Sequence, residues 1–293
     1  MRGAGFDFRL YAITGEPYHP GRDLIGVMEA AIRGGADIVQ LRDKESPPSR
    51  LLDKARALRE LTRRYGVPFI VNDHPELALA AEADGVHLGQ EDMPIAAARR
   101  MLGEDKIIGV STHNIAQARE AVRQGADYIG VGPVYPTPTK PGRPAAGLEF
   151  VRQAAAEIAI PWVAIGGITL DNADEVLDAG ARRLCAVSAI VGSPDPEAIS
   201  REFRQRIEAR EAGRSARLSG AELPAGSPIP IRLNGRETET TARTLMELIE
   251  RHGLADRRVV AEVDGEIVAR AAWSRTPLKA GATIELVHFK GGG

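Results

Sequence analysis

The chain has 293 residues and a formal net charge of -2, from 38 Lys and Arg against 40 Asp and Glu. This balance excludes nucleic acid and anionic membranes as general partners, so any anion binding has to be local. No apolar run reaches the length of a membrane span and residues 1–5 lack a signal-peptide core, so we expect a cytoplasmic protein.

Residues 8 to 210 alternate short β-branched runs with amphipathic segments of helical length. We predict strands at residues 10–13, 38–41, 69–71, 85–88, 107–110, 128–131, 162–165 and 184–187. Between them, apolar residues recur at three- and four-residue spacing, which is typical of helices. Gly35, Gly125 and Gly180 precede strands and suit helix ends. Eight βα units in about 200 residues favour a TIM (β/α)8 barrel over a doubly wound open sheet.

On a barrel the carboxyl ends of the strands form one rim, so clusters that are distant in sequence become neighbours. After the second strand, alternation directs Gln40, Arg42 and Lys44 to the same side, where two cations and an amide suit a phosphorylated substrate. Asp73 and Asp92 follow the third and fourth strands. Their carboxylates suit either salt bridges to the cationic rim or a Mg²⁺ site that water and substrate phosphate complete.

The fifth and sixth strands are followed by further polar segments. Ser111 to Asn114 suit either a helix cap or an anion site, and we assign Asn114 to the cap and Ser111 to the anion. In the loop 132–142, four prolines restrict the backbone and hold Thr137, Thr139 and Lys140 in place before a ligand arrives. A rigid surface loop would have a similar composition. The position of the loop 132–142 after a buried strand favours an anion site instead.

The last two strand ends carry Gly166-Gly167 and Val187-Ser188, at positions where many TIM barrels bind a phosphate group. Together with the cationic site on the earlier strands, they predict two anion sites and therefore two phosphorylated substrates. Mg²⁺ and several cations around one substrate suit stabilisation of a departing pyrophosphate.

No arrangement of residues supports a nucleophilic side chain. His74, His87 and His113 lie near the rim without metal-ligand spacing, and we interpret His87 as an interior hydrogen-bonding residue and His74 as part of a helix start. Cys185 lies in an apolar run, and we interpret it as a buried small hydrophobe.

In this order, the strand ends resemble those of thiamine-phosphate synthase. The motifs are Gln40-Leu41-Arg42-Asp43-Lys44, Val71-Asn72-Asp73, residues 87–92, 109–111, 132–140 and 165–168, and Val187-Ser188. The family implies condensation of 4-amino-2-methyl-5-(diphosphooxymethyl)pyrimidine with hydroxyethylthiazole phosphate to give thiamine phosphate and pyrophosphate. It also implies a dissociative route, in which the thiazole nitrogen captures a pyrimidine-methyl cation after pyrophosphate has left.

The resemblance implies roles for single residues as well. The catalytic residues would be Lys140, Arg42 and Ser111. The pyrimidine diphosphate would contact Gln40, Arg42, Lys44, Asn72, Ser111 and Lys140. The thiazole phosphate would contact Thr137, Thr139, Gly167, Val187 and Ser188. The metal, Mg²⁺, would be bound by Asp73 and Asp92.

A second domain follows a predicted flexible linker at residues 211–228, which is rich in Gly, Ser and Pro. In residues 229–293, Asn234-Gly235 predicts a type I′ hairpin, and a helix over 241–252 turns Leu245, Leu248 and Ile249 to one face. Two strands, a helix and further strands in about 65 residues predict a small α+β fold of the β-grasp, ubiquitin-like type.

The chain ends in three glycines, a tail without side chains that suits threading into a narrow channel of an activating enzyme. An expression scar or a frayed end would look the same in isolation. Attached to a β-grasp pattern, the tail resembles that of the thiamine-pathway sulfur carrier and, less closely, the molybdopterin one. The resemblance implies thiocarboxylation of Gly293, next to Gly292, with an adenylating enzyme and a thiazole synthase as partners.

We therefore predict a synthase barrel in residues 1–210 fused to a sulfur carrier. Two alternatives stay open at this point. A thiazole tautomerase is a related barrel that needs the phosphate site but not the metal and diphosphate residues, so Asp73, Asp92 and Lys140 disfavour it. The second alternative is a non-catalytic scaffold that presents the carrier domain.

Overall fold

The computed structural model describes residues 6–137, 144–218, 228–255, 257 and 259–288. It divides into two compact units, residues 1–211 and 212–293. Four residues of the predicted sites, Thr139, Lys140, Gly292 and Gly293, lie outside the described residues. Among the described helices, none is both long and apolar enough to cross a membrane.

The first unit is a closed barrel of eight parallel strands in sequence order, which confirms the predicted TIM-type fold. The strands are β1 Leu10–Ile13, β2 Ile38–Leu41, β3 Phe69–Asn72, β4 Gly85–Leu88, β5 Ile107–Thr112, β6 Tyr128–Val131, β7 Trp162–Ile165 and β8 Leu184–Cys185. The helices are α1 Leu24–Arg33, α2 Pro48–Tyr65, α3 Pro75–Ala80, α4 Ile95–Leu102, α5 Ile115–Arg123, α6 Gly147–Glu157, α7 Leu170–Asp178, α8 Ser188–Val191 and α9 Pro196–Leu218.

Alternate strand residues separate into two hydrophobic clusters. Outward residues such as Leu10 and Ile129 pack in the large cluster with the helices. Inward residues form a smaller cluster that includes Tyr11, Ile70 and Tyr128. Because side chains alternate along a strand, the next inward positions lie one layer nearer the carboxyl ends. Of the predicted site residues, Gln40, Asn72 and Ser111 occupy this upper layer, directly above an aromatic floor.

Three strand ends differ from the prediction. Strand β3 is one residue longer and includes Asn72. Strand β5 continues to Thr112, so Ser111 lies within the strand instead of after it. Strand β8 stops at Cys185, because Val187 adopts a right-handed helical backbone (φ -87°, ψ -79°) and leads into the short helix α8. The apolar run 184–187 gives no signal for this turn, since Val187 is a residue type that is enriched in strands.

The boundary of the predicted linker also differs. Helix α9 runs to Leu218, so residues 211–218 are helical. Glu211 accepts a hydrogen bond from Arg9 Nε at 2.6 Å, which ties this part of the helix to the start of the barrel. Such a contact joins residues about 200 positions apart and leaves no local signature in the sequence. Residues 219–227 lie outside the described part of the chain.

Three aspartates clamp the amino ends of the barrel strands. Each precedes an even-numbered strand, accepts a backbone N–H of the preceding odd-numbered strand, and pairs with an arginine. Asp37 accepts from the backbone N–H groups of Arg9 and Leu10 and from the Arg204 side chain. Asp84 accepts from the backbone N–H of Phe69 and from the Arg59 side chain. Asp127 accepts from the backbone N–H of Ile108 and from the Arg99 side chain. We call these three carboxylates the aspartate clamps. They satisfy backbone donors at the end of the barrel opposite the strand carboxyl ends.

Asp127→Ala is expected to lower the free energy of unfolding by about 2 kcal/mol, since the Ile108 N–H (2.7 Å) and the Arg99 guanidinium (2.5 Å) both lose a charged acceptor. Urea unfolding followed by helical circular dichroism measures this change. The control is Glu157→Ala, which breaks an exposed ion pair to Arg119 and should cost less than about 1 kcal/mol. Equal effects of the two substitutions would contradict the clamp role.

Within its described residues, the second unit has five strands, one α-helix and a 3-10 helix at Arg270–Arg275, which confirms the predicted β-grasp fold. Its elements are β9 Ile229–Leu233, β10 Arg236–Thr240, α10 Leu245–Arg251, β11 Val259–Val263, β12 Glu266–Val268 and β13 Thr283–His288, in the sheet order β10-β9-β13-β11-β12. Asn234 and Gly235 both have positive φ (48° and 75°), which confirms the type I′ hairpin. The helix begins four residues later than predicted, because Thr244 caps it by accepting from Glu247 N.

Candidate active site

A cavity of about 270 Å³ opens at the carboxyl ends of the barrel strands. Eight of the predicted site residues line it, and they come from segments spread over the whole barrel. They are Gln40, Arg42, Asn72, Ser111, Thr137, Gly167, Val187 and Ser188. Barrel closure therefore brings most of the residues predicted for both substrates into one space.

One end of the cavity is formed by the loops after β6 and β7, which lie against each other. Val134 N donates to Ile165 O at 2.9 Å and Tyr135 N to Gly166 O at 3.0 Å. A Cβ on Gly167 (φ 65°) would lie 2.7 Å from Pro136 O, so only glycine permits this approach. Thr137, the two glycines and Ser188 at the start of α8 all line the cavity. This end fits a phosphate group.

The loop after β2 is braced by a partly buried ammonium group. Lys54 Nζ donates to Asp43 Oδ2 at 2.6 Å, to Ser46 Oγ at 3.0 Å and also to Glu16. Burial alone would raise the pKa of Asp43, but Lys54 and Ser46 hold that pKa far below its usual range. The carboxylate is therefore charged near neutral pH, and its bond to Lys54 ties the loop beside Arg42 to helix α2.

Two carboxylates face each other at the rim beside Asn72. Lys44 Nζ lies 3.2 Å from Asp73 Oδ2, so the predicted salt bridge is present. Burial and the adjacent Asp92 carboxyl nevertheless raise the pKa of Asp73, against the effect of Lys44. Asp73 also has a left-handed backbone (φ 62°), a strain that is common at functional sites. Asp92 is oriented by Gly89 N, which donates to Oδ2 at 2.6 Å.

This pair of carboxylates fits a hard divalent cation such as Mg²⁺. Two neighbouring negative charges repel each other in a half-buried position, and a cation would remove that repulsion. Within the described ranges, no group of three or more His, Cys, Asp or Glu side chains is arranged to hold a metal ion. Mg²⁺ commonly uses only one or two protein carboxylates and takes its other ligands from water and substrate phosphates.

Beneath the cavity, a chain of hydrogen bonds crosses the barrel interior. Gln40 Nε2 donates to Tyr11 Oη (2.8 Å), the Tyr11 and Tyr128 hydroxyls are 2.8 Å apart, and His87 bonds to Tyr128 Oη (Nδ1, 2.8 Å) and to Ser111 Oγ (Nε2, 2.9 Å). These contacts confirm His87 as an interior hydrogen-bonding residue. Burial raises the pKa of both tyrosines, so the phenols stay neutral.

Sequence reasoning missed Tyr11 and Tyr128. The available signal was a tyrosine at an inward position of two strands that are otherwise apolar, because a buried phenol nearly always has a hydrogen-bond partner. Which partner it finds depends on barrel closure, and the sequence pattern does not specify that.

Two further side chains near the cavity have defined roles. Asn114 caps α5 by accepting from Gln117 N at 2.9 Å, as predicted, while Ser111 faces the cavity. His113 also lines the cavity, and its Nδ1 donates to the Gly132 carbonyl at 2.6 Å, which links β5 to the loop after β6. Cys185 forms part of the cavity floor with 1% of its surface exposed, and burial raises the pKa of its thiol, as expected for a small hydrophobe.

Two family models match separate parts of the chain. A model described as thiamine monophosphate synthase matches residues 10–190, and the ThiS family model matches residues 231–293. The two matches fall on the barrel and on the five-stranded unit, respectively.

Individual relatives are similar to the barrel over nearly their whole length. The thiamine-phosphate synthase of Halalkalibacterium halodurans is 53% identical over 208 residues, which are 71% of this chain and 99% of that protein. The Chloroflexus aurantiacus protein of the same name is 49% identical, over 69% of this chain and 93% of its own. Among solved structures, the thiamine phosphate pyrophosphorylase from Pyrococcus furiosus has 39% identity and a TM-score of 0.64, covering 69% of this chain and 96% of that one.

Proposed function

Because the chain belongs to the thiamine monophosphate synthase family through residues 10–190, and to the ThiS family through residues 231–293, we propose that it is a fusion of an enzyme and a sulfur carrier. The barrel condenses 4-amino-2-methyl-5-(diphosphooxymethyl)pyrimidine with hydroxyethylthiazole phosphate, releasing pyrophosphate. The observation that carries this proposal is the convergence of eight predicted substrate residues on one cavity.

The two substrates occupy opposite ends of the cavity in this proposal. The pyrimidine diphosphate contacts Gln40, Arg42, Lys44, Asn72, Ser111 and Lys140. The thiazole phosphate contacts Thr137, Thr139, Gly167, Val187 and Ser188. The close packing of the loops after β6 and β7 supports the second group, and the braced loop after β2 supports the first. Lys140 and Thr139 enter by family membership alone, since they lie outside the described residues.

In the proposed reaction, the C–O bond between the pyrimidine methylene carbon and the diphosphate breaks, and the bonding electron pair stays on the diphosphate oxygen. The thiazole nitrogen then donates its lone pair to the same carbon. Arg42 and Lys44 stabilise the negative charge that grows on the departing group, and Ser111 adds a hydroxyl. Asp73 and Asp92 would hold Mg²⁺, which supplies further positive charge at the diphosphate when bound. Positioning the two substrates is the main task of the other residues.

The second unit supplies a different chemistry. As a member of the ThiS family it carries sulfur, and we propose that an adenylating partner activates Gly293 and that a thiazole synthase accepts the sulfur from the thiocarboxylate. The proposed division assigns residues 1–210 to the synthase and 229–293 to the carrier. The segment 211–228 joins them, and its first eight residues are helical.

Pyrophosphate release in the presence of both substrates and Mg²⁺ tests the proposed activity. We expect release to require all three components. A thiazole tautomerase would convert its thiazole substrate without pyrophosphate release, and a non-catalytic scaffold would do neither. Either result in a folded protein would refute the synthase proposal.

Gly130 gives a sharper prediction about the cavity. It lies on an inward position of β6 and lines the cavity, and a Cβ there would meet no protein atom closer than 3.6 Å. Glycine is therefore not required for packing, and we infer that it leaves space for substrate. Gly130→Ala should retain the wild-type unfolding temperature but lower kcat/KM for the pyrimidine about tenfold or more, as one methyl group in a tight pocket does.

The matched control is Gly109→Ala on the adjacent strand β5. A Cβ at Gly109 would lie 2.1 Å from the ring of Tyr128, so this variant should lose about 1–3 kcal/mol of stability through overpacking. Thermal unfolding and steady-state kinetics on both variants separate the two effects. A Gly130→Ala enzyme with wild-type kinetics would show that the pyrimidine ring of the substrate does not approach the backbone at residue 130.

A further inference from the structure

Gln40 and Ser111 lie on different strands and both line the cavity, and a continuous hydrogen-bond chain joins them through the barrel interior. The intermediate residues, Tyr11, Tyr128 and His87, are buried, with relative exposures of 1%, 0% and 8%. We call these three residues the relay. Each of its four hydrogen bonds measures 2.8 to 2.9 Å.

We propose that the relay makes the hydroxyl of Ser111 a hydrogen-bond donor toward substrate, and that the amide of Gln40 sets this direction from the other end. The inference rests on the proposed function only in naming the substrate. It makes Tyr11, Tyr128 and His87 positioning residues. It also gives the cavity a hydrogen-bond acceptor at Gln40 and a donor at Ser111, an arrangement that the contacts of either residue alone do not reveal.

The donor and acceptor rules of the side chains give the direction. An amide nitrogen only donates, so Tyr11 Oη accepts from Gln40 Nε2. Within the described residues the other polar partner of Tyr11 is the Tyr128 hydroxyl, which therefore receives the Tyr11 hydrogen. Tyr128 in turn donates to His87 Nδ1, and the neutral imidazole carries its hydrogen on Nε2. That hydrogen goes to Ser111 Oγ, which leaves the serine hydrogen for an acceptor in the cavity.

Reversal of the Gln40 amide would reverse every bond. If Oε1 faced Tyr11, each hydroxyl would donate in the opposite sense, His87 would carry its hydrogen on Nδ1, and Ser111 would present a lone pair to the cavity. The two ends are thus coupled: a ligand that donates to the Gln40 carbonyl favours the state in which Ser111 also donates. A substrate with an amino group at one end and an anionic oxygen or ring nitrogen at the other matches this polarity.

The surroundings of the relay favour its integrity. Phe8, Ile70 and Val163 pack around the two phenols in the interior cluster, and the rings of Phe8 and Tyr128 meet edge-on at 5.8 Å. In such an apolar setting an unpaired hydroxyl hydrogen costs free energy, so a state in which every relay hydrogen has an acceptor is preferred.

The decisive test is the tautomer of His87, which nitrogen NMR of the full chain reads from the ring nitrogen shifts at mildly alkaline pH, independently of activity. We expect the Nε2-H form in the wild-type protein and the Nδ1-H form in Gln40→Glu, because a carboxylate at this position accepts from Tyr11. The switch should disappear in Gln40→Glu combined with Tyr11→Phe, since the chain is then broken. An Nδ1-H form of His87 in the wild type overturns the proposal, and so does the same tautomer in the wild type and in Gln40→Glu.

Kinetics give an independent readout that a purely structural role would not move. The fold-decrease in kcat/KM caused by Ser111→Ala should be at least about tenfold smaller in the Tyr128→Phe background than in the wild type, since groups joined in one hydrogen-bond network are not additive. Tyr65→Phe, which removes an exposed hydroxyl bonded to Glu29, is the matched control and should leave the cost unchanged. If the enzyme is active and Ser111→Ala lowers kcat/KM equally in both backgrounds, the relay is refuted and the proposed function is not. If the wild-type chain shows no turnover, the proposed function is refuted, and the His87 tautomer still decides whether the relay exists.

Discussion

Asp73→Asn is expected to lower pyrophosphate release by about two to three orders of magnitude, comparable to the loss of one group that stabilises transition-state charge, without destabilising the barrel. The raised pKa of Asp73 means that its ionised form is disfavoured in the folded protein, so neutral asparagine removes a repulsion with Asp92. In wild-type protein, Mg²⁺ with pyrophosphate should raise the unfolding temperature by ligand binding, and this increase should be lost in the variant.

Two further variants show whether the carboxylates act as a pair. Asp92→Asn should reproduce both effects, whereas Asp53→Asn, at an exposed position of α2, should reproduce neither. If Asp73 were only a salt-bridge partner of Lys44, Asp73→Asn would lower pyrophosphate release only slightly and the Mg²⁺ requirement would stay unchanged. That outcome would remove the metal from the proposed site.

Deletion of Gly292 and Gly293 is expected to abolish sulfur loading while pyrophosphate release continues at the wild-type rate. The proposed carrier role assigns adenylation to the terminal carboxylate of Gly293, and the deletion moves the terminal carboxylate two residues back, to Gly291. Intact-mass measurement after incubation with an adenylating enzyme, ATP and a sulfur source should show one oxygen replaced by sulfur in the full chain and no change in the deletion variant.

The Asp73→Asn chain is the reciprocal control for this experiment. It should accept sulfur normally although its barrel is inactive, because the two chemistries depend on different units. Loading of the deletion variant, or no loading of the full chain by a verified active partner, would contradict the assigned role of the glycine tail.

The fold was predictable from the sequence where local patterns decide the structure. Strand β1 and the hairpin at Asn234 lie where the pattern indicated them, since alternation and turn chemistry are local properties. The end of β8 was not predictable in this way, because Val187 turns into a helix within an unbroken apolar run. The helical start of the predicted linker likewise depends on Glu211, whose partner Arg9 is remote in sequence.

The candidate site divides in a similar way. Residues such as Gln40, Ser111 and Gly167 were identifiable because they lie near the carboxyl ends of strands, at positions that a barrel gathers at one rim. The phenols of Tyr11 and Tyr128 were not, because their pairing joins side chains on strands from opposite parts of the barrel. A pattern of burial predicts that such groups have partners, but only the closed sheet determines which partners they are.

The aspartate clamps have an evolutionary consequence. They fasten neighbouring strands at one end of the barrel, while the residues that recognise substrate lie at the other end of the same strands. Substitutions in the recognition loops therefore leave the fastening intact. A scaffold divided in this manner can diverge in chemistry while its architecture persists.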